Sequence, residues 1–210
     1  YSWFNKTIEG FSFTHLSGVG WHGDFGNFLV MPTTGPLKTS KGKEGASEKG
    51  YRSSFSHENE VVKAGYYSVF LDDYQIKTEL SAAPRAGMLR FTFPKNNSSR
   101  IQIDLARRIA GTSTEQYVKV VNDSTISGWM KCVPEGGGFG NGGGRTNYTV
   151  YFWCQFSKPL KKFGTWSASI PPEWKRKNDE VASDDYQQLI ATEKVTHGIK
   201  EDKGKHIGFF

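Results

Sequence analysis

The chain has little cysteine, no long apolar run and no organised basic element, and each lack removes a class of protein. Two cysteines in 210 residues (Cys132 and Cys154) cannot build a disulfide scaffold. They flank a Gly-rich stretch that reads as a hairpin tip, so the pair is open to two readings, a loop-closing bridge or two free thiols. Mean hydropathy is −0.56 and no segment is apolar for the length of a bilayer, which excludes a transmembrane helix. The first residues, Tyr1-Ser2-Trp3-Phe4, carry neither the charged start nor the apolar core of a signal peptide.

Positive charge is in excess, with 27 Lys and Arg against 21 Asp and Glu and a formal net charge of +6. It comes in small clusters (Lys38–Lys43, Lys161–Lys162 and Lys175–Lys177) rather than along one helix or strand, so nucleic acid is not an expected partner. The Gly-rich run Gly136–Gly144 leads into the strand-like YTVYFWCQF, not into a helix with Lys-Ser/Thr. That context argues for a hairpin loop over 134–147 and against a phosphate cradle.

Aromatics and glycine are abundant. Aromatic residues make up 14% of the chain and there are 24 glycines, a mixture suited to strands joined by tight turns. Tyr67, Val69 and Leu71 alternate with Tyr66, Ser68 and Phe70, and further strands are expected over Tyr74–Ala82, Met88–Phe93, Arg100–Leu105, Glu115–Val121 and Thr125–Lys131. Short strands separated by turn chemistry predict an all-β fold, an antiparallel β-sandwich occupying 1–210 as one domain. The polar, Lys- and Gly-rich segment 36–50 is expected to be an exposed loop, and Tyr186–Val195 reads equally as helix or strand. The final KGKHIGFF reads as a strand cut short at Phe210.

The densest stretch is GFSFTHLSGVGWHGDFGNFLVMPTTG, Gly10–Gly35. Gly18, Gly20, Gly23 and Gly26 exclude a stable helix and favour a loop, while the apolar run of Phe25, Phe28, Leu29, Val30 and Met31 reads as a buried strand stopped by Pro32 and Gly35. Such a loop offers the indole of Trp21, the imidazoles of His15 and His22 and the carboxyl of Asp24. An indole covers the apolar face of a pyranose, and imidazole and carboxyl groups bond its hydroxyls. The competing reading places Trp21 in the core.

That stretch resembles the signature near the start of glycoside hydrolase family 92, the calcium-dependent exo-acting α-mannosidases. Three further blocks follow in the family's order: FSHENEVVKAGYYSVFLDDYQIKTEL (Phe55–Leu80), APRAGMLRFTFP (Ala83–Pro94) and TVYFWCQFSKPL (Thr149–Leu160). The resemblance implies an N-terminal β-sandwich that works beside an (α/α)6 barrel, with strands before Tyr1 and the barrel outside these 210 residues. It implies α-mannoside glycans as substrate, inversion as mechanism, an exported, periplasmic or surface location, and calcium held largely by the barrel. No metal ligand is assigned here.

Inversion needs an acid and a base roughly 6.5–9.5 Å apart. Both come from the barrel in this family, so no catalytic residue is expected in this chain. Its contribution would be one wall of the mannose pocket, with Trp21 as platform and His15, His22 and Asp24 contacting hydroxyls or bracing the loop. Among the other carboxylates near the family-like blocks, Asp104 is expected to face solvent and Glu79 to pair with Arg85 or Arg90. Val19 stands where the family commonly has Thr, and Ala83-Pro84 where it is more polar, which bears on linkage preference. The alternative to an enzyme part is a carbohydrate-binding sandwich without catalysis.

Overall fold

The computed structural model describes residues 3–14, 26–45, 50–108, 111–132, 147–169 and 192–210. These residues are all-β: eighteen strands and a single 3-10 turn (His57–Asn59), with no α-helix among them. The chain divides into two compact units, Tyr1–Phe11 with Met31–Ile101 and Ser12–Val30 with Gln102–Phe210.

In the first unit, β5 (Val61–Lys63), β6 (Tyr66–Leu71), β7 (Ile76–Ala83) and β8 (Ala86–Thr92) form an antiparallel meander in chain order. Val69, Leu71 and Ile76 are its most buried apolar residues, at 1%, 0% and 0% exposure. A short ladder joins β1 (Thr7–Ile8) to β4 (Ser53–Ser54). The 36–50 segment departs from the expected exposed loop in its described part. Lys41 is 1% exposed, with its ammonium 2.7 Å from Glu9, and Arg52 donates to Thr7 Oγ1 and to the Lys41 carbonyl. A lysine goes under only when its charge is paired, and Glu9 supplies that pair.

The second unit is a sandwich of two antiparallel sheets. One has the order β14 (Tyr148–Gln155), β13 (Thr125–Cys132), β12 (Glu115–Asn122), β17 (Glu201–Gly204). The other has the order β16 (Thr192–His197), β15 (Gly164–Ala168), β18 (Ile207–Phe209), β9 (Arg100–Asp104), β3 (Asn27–Thr33), β2 (Phe11–Phe13). The chain crosses between the units within β2, β3 and β9. A two-stranded ladder, β10 (Arg107–Arg108) with β11 (Gly111–Thr112), completes the set.

The sheets of the second unit meet through their inner faces. The ring of Phe28 (β3) meets Phe152 (β14) edge-on at 4.8 Å, the Ile207 amide (β18) donates to Gln116 Oε1 (β12) at 3.0 Å, and Thr165 Oγ1 (β15) donates to Asp202 (β17) at 2.5 Å. Ile126, Met130, Trp166 and Phe209 fill the space between, none more than 2% exposed. The expected C-terminal strand is β18. Of the ambiguous Tyr186–Val195, residues 192–195 lie in β16, and the rest lies outside the described residues.

Two expectations are corrected here. Asp104 does not face solvent: it is 2% exposed, and its Oδ1 accepts the Ala106 amide at 3.1 Å. The strand carrying it is interior, with Gln102, Ile103 and Asp104 buried in succession, so alternation does not separate a wet face from a dry one. The disulfide alternative also fails. No disulfide joins the two, with Cys132 opposite Tyr148 and Cys154 opposite Ile126. Those positions are six residues apart along one ladder, about 20 Å, far beyond the reach of a bridge.

Candidate functional site

His15, Trp21, His22 and Asp24 lie outside the described residues. The structure does describe the two ends between which they are strung. β2 delivers Thr14 with φ of +61°, and the chain returns at Gly26 with φ of +80°. The Gly26 amide donates to the Thr14 carbonyl at 3.1 Å, and the Asn27 amide donates to Thr14 Oγ1 at 3.3 Å. The residues on either side of 15–25 are thus bonded directly to each other.

Asn27 fixes that point from below. It is fully buried, its Oδ1 lies 2.5 Å from the Thr14 hydroxyl, and its Nδ2 reaches Met130 Sδ at 2.9 Å and Cys132 Sγ at 3.7 Å. Phe28 follows with φ of +59°, a conformation bulky side chains seldom adopt, held with its ring buried against Phe152. Thr14 and Phe28, both left-handed without being glycine, store backbone strain of the kind that clusters at functional sites. Neither Thr14 nor Asn27 was among the expected site residues. The signal for them is their place, one polar residue on each side of the glycines, next to an apolar strand.

Glu79 and Glu60, two of the carboxylates near the family-like blocks, are occupied. Glu79 receives both Arg90 Nε and Arg90 Nη2 at 2.7 Å and the Tyr66 hydroxyl at 2.7 Å. The Arg90 guanidinium, then the Tyr66 hydroxyl, hold its carboxyl down at about 2. Arg90 is therefore the partner, as one of the two expected alternatives had it. Glu60 accepts the Tyr67 hydroxyl at 2.5 Å and meets His57 Nδ1, while His57 Nε2 meets the Trp3 carbonyl at 2.8 Å. The Trp3 indole stacks on the same imidazole at 3.9 Å. These groups have partners that fix structure, and none forms an acid–base pair across an open cleft.

Among the described residues no group of three or more His, Cys, Asp or Glu side chains could hold a metal ion. A concavity of about 220 Å³ at the ends of β13 and β14, lined by Thr114, Lys131, Cys132, Asn147, Tyr148 and Thr149, is smaller than the usual ligand pocket of roughly 300–1,000 Å³.

The described residues define an all-β, antiparallel sandwich fold in which the residues flanking 15–25, Thr14 and Gly26, are hydrogen-bonded to each other. The family follows from the whole chain: it belongs to glycosyl hydrolase family 92, matching the family's N-terminal domain over residues 1–209. Among solved structures, the family GH92 α-mannosidase BT3965 from Bacteroides thetaiotaomicron, in complex with mannoimidazole, is similar over 100% of this chain and 24% of its own. Identity is 30% and the TM-score 0.75. The GH92 glycosyl hydrolase ccman5 is similar at 25% identity and TM-score 0.66, again over 100% of this chain and 24% of its own. The GH92 inverting mannosidase BT2199 from Bacteroides thetaiotaomicron shares the fold at 19% identity, over 87% of this chain and 19% of its own, with a TM-score of 0.54. The chain spans about a quarter of the length of the first two. No curated relative matches it.

Proposed function

We propose that this chain is the N-terminal β-sandwich part of an exo-acting, inverting α-mannosidase, of α-1,2 preference, that releases mannose from glycans outside the cytoplasm. The match of residues 1–209 to the family's N-terminal domain carries the reading. In it, the loop 15–25 forms one wall of the sugar pocket. Trp21 covers the apolar face of the leaving-group sugar, and His15, His22 and Asp24 contact hydroxyls or brace the loop. The acid, the base and the ligands of calcium come from an (α/α)6 barrel joined to this domain. The engagement of Glu60, Glu79 and Asp104 in structural bonds supports a division of labour in which this part positions and the barrel reacts.

A second reading, a non-catalytic carbohydrate-binding sandwich, draws on the same occupied carboxylates. Mannose release from a panel of α-linked mannobioses separates the two. The 210-residue chain and the complete gene product are each assayed with chelator and with calcium restored. The enzyme reading expects calcium-dependent release by the complete product alone, and a drop in kcat/KM of about 100-fold, equivalent to roughly 2.7 kcal/mol, on Trp21→Ala. Sugar binding by the chain with no release from either protein would leave the binding module.

A further inference from the structure

The outer face of the sheet β14-β13-β12-β17 carries a row of aromatic rings. Tyr151, Trp129 and Tyr117 stand directly opposite one another on β14, β13 and β12, and Lys203 of β17 ends the row. Tyr117 and Trp129 stack at 5.7 Å and 19°, and Tyr117 donates to Glu201 at 2.9 Å. Lys131 and Lys203 hold their ammonium groups 5.1 Å and 5.7 Å from the Trp129 ring, and both reach Glu115, at 2.9 Å and 3.2 Å. The two inner rings are thereby locked in place. Tyr151 and Trp153, two residues apart on the same side of β14, are 73% and 67% exposed.

Large rings left in water call for an explanation when they are contiguous. A permanent protein partner is disfavoured by what surrounds them. Protein interfaces exclude charge from their centres, whereas Glu115, Lys131, Lys203 and Glu201 sit among these rings. The outward positions of β14 are otherwise Thr149 and Gln155, with no aliphatic residue. A flat indole and phenol about 6.8 Å apart along a strand, bordered by side chains that donate and accept hydrogen bonds, match a ligand with apolar C–H faces and a rim of hydroxyls.

We propose that this face, centred on Tyr151 and Trp153, holds an α-mannan chain. The proposal rests on the glycosidase reading for the identity of the sugar and on the aromatic row for the place. Native electrophoresis of the 210-residue chain through gels containing soluble α-mannan, soluble β-glucan or no polysaccharide tests it. The chain should be retarded by α-mannan, and Tyr151→Thr/Trp153→Thr, which keeps strand-forming residues, should weaken that retardation at least about tenfold, or ~1.4 kcal/mol. Met88→Ala, which removes an exposed apolar side chain elsewhere, should be retarded as the parent is.

Several results overturn the proposal: a parent chain that α-mannan does not retard, a double variant retarded as strongly as the parent, or equal retardation by β-glucan. So does sedimentation showing a dimer that the double variant abolishes, because the face would then bind a second copy. Circular dichroism and thermal melting of the double variant establish that its fold is kept. Mannose release by the complete gene product decides the glycosidase reading separately, so the two can fail independently.

Discussion

Glu79 shows how one side chain can be committed to structure while sitting in a family-like block. Two guanidinium bonds and a phenol bond stabilise its charged form, which is why its carboxyl is held at about 2 against 4.5 for an unperturbed glutamate. That stabilisation is present in full above about pH 4.5 and is lost as pH falls towards 2, since only the unfolded chain takes up the proton early in that window. Glu79→Gln should therefore lower the melting temperature at neutral pH and flatten its fall between these two values, read by thermal melts across the series. An equal slope in parent and variant would mean that the pair adds nothing to folding. Cys154 lies at the other extreme: burial pushes its thiol up to about 11, so it is a packing residue rather than a nucleophile.

At the scale of elements, close approach matters more than propensity. Gly208 on β18 lies flat under the Trp166 indole, and a Cβ there would fall 1.9 Å from that ring. Gly208→Ala should destabilise the second unit by roughly 1–3 kcal/mol or more through overpacking. Pairing it with Trp166→Leu should recover part of that loss, as measured by urea unfolding, because the clash is with this one ring. Additive losses would place the strain elsewhere.

The same scale shows what the sequence revealed and what it hid. Alternation in Tyr66–Leu71 and the polar turn at Asp72-Asp73 marked β6 and β7, since that meander has local connections and a simple pattern. Asp104 was misjudged because alternation assumes one wet face, and β9 lies between β18 and β3 with buried residues in succession. Lys41 was misjudged because its partner Glu9 is distant in sequence. Of the candidate site, Trp21, His15, His22 and Asp24 lie outside the described residues, and only its flanks can be compared with the sequence. The anchoring by Asn27 depends on Met130 and Cys132, more than a hundred residues away, and no local pattern encodes it.

For the whole molecule, charge sets the response to pH and salt. At neutral pH the net charge is +6, and several charges are held in pairs such as Lys41–Glu9, Lys131–Glu115 and Lys203–Glu115. Salt screens such attractions, so raising it should lower stability slightly or leave it unchanged. In acid the balance reverses. As carboxylates protonate, the 27 Lys and Arg remain charged with few anions opposite them, and self-repulsion opposes the compact state. Screening then relieves repulsion instead of attraction. Moving from about 0.01 M to about 1 M sodium chloride shortens the screening length from about 30 Å to about 3 Å. That change should raise the melting temperature near pH 3 while failing to raise it near pH 7. The lowered carboxyls of Glu79 and Glu115 keep their pairs below the pH at which ordinary carboxylates are lost. A salt effect of one sign at both pH values would show that preferential exclusion of salt, not the charge distribution of this chain, dominates its stability.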